Sequence, residues 1–149
     1  MTPGLVAVVG PTASGKTAFA IELAARLDGE ILSCDSRQVY RHCDIGTNKP
    51  TAEELRGLPC HLIDLVDPNE AFTVADYVPR ARATLMLVWD RDRLPVLQGG
   101  TGLYVRALLD GWNLADAPPD PDLRVSLERR LEAEGPGALD QDLRRIDPV

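Results

Sequence analysis

No stretch of the 149 residues approaches the ~20 consecutive apolar positions that a membrane-spanning helix needs, so none is expected. The first apolar run, Leu5–Val9, is short and follows no basic residue, which argues against a secretory signal. Cysteine is scarce. Cys34, Cys43 and Cys60 are odd in number and lack CxxC spacing, which argues against a disulfide framework and a zinc site. Reduced, partly buried thiols of a cytoplasmic protein are expected instead. Lysine is nearly absent, with two against fourteen arginines, a bias that reads as genome composition. Aromatic residues make up only 5%, and no basic residues interleave Tyr77, Trp89 or Trp112, so these are expected to pack. His42 and His61 have no Cys or carboxylate at metal-ligand spacing and are read as surface or satisfied core residues. Positive charge is also short. Sixteen basic residues against 23 acidic ones give −7, which excludes a protein that coats nucleic acid indiscriminately. A local basic patch is still compatible with that total.

What remains is globular: 44% hydrophobic, 26% charged, twelve Gly and twelve Pro. The length suits one domain, or one domain with a piece of another. Leu5–Val9 predicts a strand buried on both faces, and Thr17–Leu27 a helix stopped by Asp28-Gly29. Glu30–Cys34 and, less clearly, His61–Val66 read as further strands. Between Thr73 and Asp90, Val74, Tyr77, Val78, Ala81, Leu85 and Val88 share one helical face, and Thr73 with Asp76 resembles a capping box. Leu94–Gln98 predicts a strand and Leu103–Leu109 a helix closed by Gly111. Asn113–Pro121 reads as loop. Asp120-Pro121 starts a helix to about Glu134, and a last helix ends near Ile146. Strands alternating with helices predict an α/β fold with a largely parallel sheet, residues 1–111, followed by a helical segment, 112–149.

Three motifs carry chemistry. Gly10-Pro11-Thr12-Ala13-Ser14-Gly15-Lys16-Thr17 fits GxxxxGK[ST], the phosphate loop shared by ATP-binding and other nucleotide-binding proteins. The spacing serves a purpose. Backbone N–H groups curl around a phosphate chain, the helix dipole stands behind them, Lys16 neutralises oxygens, and the Thr17 hydroxyl can ligate Mg²⁺. The second motif is Cys34-Asp35-Ser36-Arg37-Gln38-Val39-Tyr40. A carboxylate at the end of such a strand faces the ligand crevice, where Asp35 can be a general base or hold magnesium through a water. Capping of the next turn explains it equally well. The third is Gln98-Gly99-Gly100-Thr101-Gly102-Leu103-Tyr104, where Thr101 is either a ligand donor or an ordinary N-cap. Asp64 imitates the acidic strand end of nucleoside triphosphatases only weakly, and a surface carboxylate is favoured.

Taken in order, GPTASGKT, DSRQVYR with Ile45–Pro50, His61–Asp64 and LPVLQGGTGLY resemble the tRNA dimethylallyltransferase (tRNA isopentenyltransferase) family. That resemblance implies a P-loop nucleoside-triphosphatase-like sheet flanked by helices. The implied reaction moves a dimethylallyl group from dimethylallyl diphosphate to the exocyclic amine of an adenosine beside the tRNA anticodon. Gly10 to Thr17 would then hold the diphosphate, with Thr17 on Mg²⁺, and Asp35 would be the general base. Thr101 would sit between diphosphate and adenine. Asp35, Ser36, Arg37, Gln38, Thr101 and Arg124 would touch tRNA around the extruded base. The resemblance also implies a chain about half a family member's length, the start of a helical tRNA-binding segment that breaks off. The missing half would supply the basic surface that −7 denies this one. No obligate protein partner is inferred. Two other readings fit the phosphate loop: a small-molecule or nucleotide kinase, and an inactive remnant that only binds diphosphate.

Overall fold

A computed structural model describes residues 4–112 and 120–147, and the Asn113–Pro121 loop expectation falls mostly outside them. The chain divides into two compact units, residues 1–114 and 115–149.

The first unit is built on four parallel strands, β1 (Val6–Val9), β2 (Gly29–Ser33), β3 (Cys60–His61) and β4 (Leu94–Gly99), in the order β1-β4-β2-β3. Between them run α1 (Lys16–Arg26), α2 (Ala52–Leu55) and α3 (Val74–Asp90), and α4 (Gly102–Leu109) follows β4. Alternation along the strands sorts the core into two layers. Ile31 and Val96 face Ala20, Ile21 and Ala24 of α1. Leu32 and Leu97 face Tyr77, Val78, Ala81, Leu85 and Val88 of α3 and Tyr104, Ala107 and Leu108 of α4. Each large side chain buried this way contributes about 1.5–3 kcal/mol, so the two central strands hold most of the fold. Tyr77 and Tyr104 stack with centroids 4.4 Å apart, and the Tyr77 hydroxyl donates to Ser33 O at 3.0 Å.

The expected elements are present, with two corrections. Leu5–Val9 is not covered on both faces: β1 is an edge strand, and its Val9 is 53% exposed. The third strand is not His61–Val66 but two residues long, because Leu62 and Asp64 take positive φ and turn the chain away from β2. Val66 returns only as an isolated parallel bridge to Tyr40. The capping carboxylate of α3 is where the sequence puts it, Asp76 accepting from the Thr73 N–H and hydroxyl at 2.9 and 2.7 Å. Helix α2 was not anticipated, although Thr51 and Glu54 form its capping box.

The second unit consists of α5 (Pro121–Glu134) and α6 (Pro136–Ile146). Asp120 caps α5 by accepting from Leu123 N at 2.9 Å, and Arg130 of α5 pairs with Asp142 of α6 at 2.9 Å.

Candidate active site

The C-terminal ends of β1, β2 and β4 open on one cavity of about 690 Å³. Thr12 to Thr17 line one wall, Asp35 to Gln38 a second, Gly46, Thr47 and Asn48 a third, and Gln98, Gly100 and Thr101 the floor. Gly10 and Pro11 are not among the lining residues.

The loop between β1 and α1 is shaped by two residues in the left-handed region, Ala13 (φ 63°) and Gly15 (φ 79°). That alternation turns successive N–H groups to one side and leads into the α1 N-terminus, which makes an anion cradle. Lys16 Nζ donates to Pro11 O at 2.8 Å, so its ammonium is folded over the loop, where an anion can draw it away. Thr17 Oγ1 accepts from Gln98 Nε2 at 3.1 Å.

The second wall depends on a glycine. Cys34 N donates to Gln98 O at 2.7 Å, which carries the β2–β4 pairing one step past β2. A Cβ on Gly99 would overlap the Cys34 carbonyl, so only glycine lets Asp35 lie beside the end of β4. Asp35 Oδ1 accepts from Arg37 N at 2.8 Å, an Asx turn. Oδ2 makes no hydrogen bond among the described residues. The Ser36 N–H donates to Thr101 Oγ1 at 2.9 Å, and that hydroxyl lies 3.3 Å from Ser36 Oγ. The second and third motifs are thus joined, 65 residues apart in sequence.

Gln38 is placed inside, 4% exposed. Its Oε1 accepts from Ser33 Oγ at 2.8 Å, and its Nε2 donates to Thr47 O and Asn48 O at 3.2 and 3.1 Å. It therefore fixes the third wall. Lys49 holds that wall from behind, donating to Tyr40 O, Asp44 and Asp64 at 2.6, 2.8 and 2.7 Å. Burial works against the charged ammonium, but the two carboxylates outweigh it and hold its pKa above the ordinary lysine value. Asp64 is the surface carboxylate expected, exposed, and it also pairs with Lys49. Behind the site, burial pushes the Cys34 thiol up to about 11, so it is no nucleophile. Arg124 lies in the first turn of α5, in the second unit, and is exposed.

Sequence reading includes Gln98 in the third motif and Thr47, Asn48 and Lys49 in the Ile45–Pro50 segment, but assigns none of the four a role.

A parallel sheet whose first strand runs through a phosphate cradle into a helix, with a carboxylate beside it on the next strand but one, defines a phosphate-loop α/β protein. The profile of the IPP transferase family matches residues 38–149. The chain belongs to the IPP transferase family. It is 52% identical over 145 residues to a tRNA dimethylallyltransferase of Thermomicrobium roseum, covering 97% of this chain and 44% of that protein. It is 51% identical over 149 residues to a tRNA dimethylallyltransferase 1 of Trichlorobacter lovleyi, covering 99% and 48%. Among solved structures, the full-length tRNA isopentenylpyrophosphate transferase of Bacillus halodurans superposes with a TM-score of 0.75 at 51% identity, over 99% of this chain and 48% of that one. A eukaryotic dimethylallyltransferase acting on tRNA gives 0.81 at 27% identity, over 99% and 36%. The chain spans about half the length of the curated relatives it matches.

Proposed function

We propose that this chain carries the donor site and general base of an enzyme that transfers a dimethylallyl group to tRNA. The acceptor is the exocyclic amine of an adenosine beside the anticodon, and the donor is dimethylallyl diphosphate. The observation that carries the reading is the meeting of an anion cradle and a carboxylate with an open oxygen in one cavity. The relatives described above, tRNA dimethylallyltransferases by name, support it over a kinase.

In this reading the cradle, Lys16 and the α1 N-terminus receive the diphosphate, and their interactions strengthen as the allylic C–O bond breaks and charge gathers on the leaving oxygen. The adenine nitrogen forms the new C–N bond and becomes acidic. Asp35, held by its Oδ1 to Arg37 N, takes the proton on Oδ2. Thr101 fixes the distance between base and cradle through Ser36. Ser36 and Arg37 face the tRNA, Gln38 shapes the wall they stand on, and Arg124 is a further tRNA contact.

The residues fit magnesium. The Thr17 hydroxyl lines the cavity beside the cradle, a hard oxygen donor suited to an ion held otherwise by phosphate oxygens and water. Thr17 would supply the one direct protein ligand. When bound, Mg²⁺ would offset charge on the departing diphosphate. Among the described residues no helix is long and apolar enough to cross a membrane. The cytoplasm, where tRNA resides, is the proposed compartment.

Single-turnover transfer to tRNA, measured on the protein at its relatives' length, tests the reading. Asp35→Asn keeps shape and donor affinity but removes the basic lone pair, so transfer falls by ~10²–10⁴-fold. Wild-type rate in that variant, under saturating donor and tRNA, removes Asp35 as the base. A magnesium or diphosphate role for Asp35 would raise the KM for the donor instead.

A further inference from the structure

The last side chain of β4 before the glycines serves no purpose in the core. Val96 and Leu97 before it are fully buried and apolar, whereas Gln98, 5% exposed, turns an amide toward the cavity. Burying an amide is unfavourable unless its hydrogen bonds are made, and an apolar residue would fill the space more cheaply. Its Nε2 donates to Thr17 Oγ1, 81 residues earlier, at 3.1 Å.

A threonine hydroxyl has one proton and two lone pairs. The Gln98 N–H occupies one lone pair and leaves the proton and the other free to meet a ligand. In phosphate-loop nucleotidases the Ser/Thr hydroxyl shares its magnesium ion with a carboxylate. In this chain the group on Thr17 is an amide nitrogen. It cannot ligate a cation, and it carries no charge to repel an anion.

We infer that Gln98 is a positioning residue for donor binding. It presents the Thr17 hydroxyl as a hydrogen-bond donor to the diphosphate and keeps that end of the cavity uncharged, so that diphosphate binds without needing a metal already in place. This rests on the diphosphate reading of the loop given above.

Calorimetry of inorganic diphosphate with the whole chain, in chelator and then in Mg²⁺, tests it. In chelator, Gln98→Leu weakens binding about fivefold, the worth of one neutral hydrogen bond, and Thr17→Val about tenfold or more, since its hydroxyl bonds a charged acceptor. The double variant loses no more than Thr17→Val alone, because Gln98 acts only through that hydroxyl. Gln98→Glu reverses the preference: diphosphate binds more weakly still in chelator, and Mg²⁺ alone binds more tightly than to wild type. That sign change carries the test even if Gln98→Leu does not fold. Wild-type affinity in Gln98→Leu, or losses that simply multiply in the double variant, would overturn the assignment while leaving the loop's role intact. If Lys16→Ala and Thr17→Val also bind diphosphate as wild type does, the diphosphate reading itself falls and takes the Gln98 assignment with it.

Discussion

The two ends of the sheet treat charge in opposite ways. At the N-terminal end, Glu30 is buried and fully engaged: Arg91 donates to Oε1 and Oε2 at 3.0 and 2.7 Å, and His61 Nε2 lies 2.6 Å from Oε2. At the C-terminal end, Lys16 rests on a single backbone carbonyl and Asp35 engages one oxygen of two. Glu30 is closed on its partners, whereas Lys16 and Asp35 are left for a ligand, and the Lys49 ion pairs at their end only hold the wall behind. Charge satisfied within the chain stabilises the fold; charge left partly open is available for chemistry. Substitutions at the two ends should therefore fail in different assays.

The largest effect is expected from a pair of glycines. Gly29 at the closed end is buried, and a Cβ there would come within 2.6 Å of Leu94 O. Gly29→Ala has to push β2 from β4, which costs about 3 kcal/mol, with diphosphate affinity of the folded fraction unchanged. Gly100 at the open end has Gly10 O at 3.2 Å and Lys16 Nζ at 3.9 Å from the added carbon. Gly100→Ala should unfold within about 1 kcal/mol of wild type but bind diphosphate more weakly, since the methyl crowds the cradle. Denaturant titration beside calorimetry checks both, and the comparison breaks if Gly29→Ala is the one that loses ligand.

Next in size is Lys16→Ala. An ammonium on a desolvated phosphate makes charge-assisted bonds of ~1.5–3 kcal/mol, so diphosphate binding should weaken at least tenfold. The thermal midpoint should hardly move, because the lysine's internal partner is one exposed carbonyl. Arg91→Ala should do the reverse, lowering the midpoint and sparing the ligand. A shared loss of both properties in either variant would end the distinction.

How much of this was legible beforehand follows from range. The phosphate loop and the α3 face are local patterns, set by spacings of at most a few turns, and Gly15-Lys16-Thr17 and Thr73 with Asp76 could be read directly. Asp35 and Thr101 were visible as residues, but their joining through Ser36 was not. Gln98 on Thr17 and Lys49 on Asp64 depend on the strand order β1-β4-β2-β3, which no local periodicity encodes. The same order exposes Val9, whose β-branched run looks identical in a central strand. Sequence alone marks His61 as surface or satisfied core and Glu30, its partner 31 residues earlier, as one acidic residue in a strand.

The smallest effect belongs to that pair and is read against pH. The Arg91 hydrogen bonds, against the opposing pull of burial and with help from His61, hold the Glu30 carboxyl below its ordinary value of 4.5. A carboxyl whose pKa is lower in the folded state binds fewer protons there than in the unfolded chain, so it adds stability above the unfolded value. That contribution is lost as pH falls through the folded value, which lies under 4.5. Glu30→Gln keeps the shape and removes the titration. At pH 7 the variant should melt a few degrees below wild type, a modest gap because Arg91 is half exposed and solvent screens the pair. Below pH ~4.5 the gap should narrow as wild-type Glu30 takes up its proton and becomes, like glutamine, neutral. Thermal midpoints of both proteins from neutral pH to pH ~3 decide it. Curves that stay parallel throughout would mean that Glu30 is not the group whose charge closes this end of the sheet.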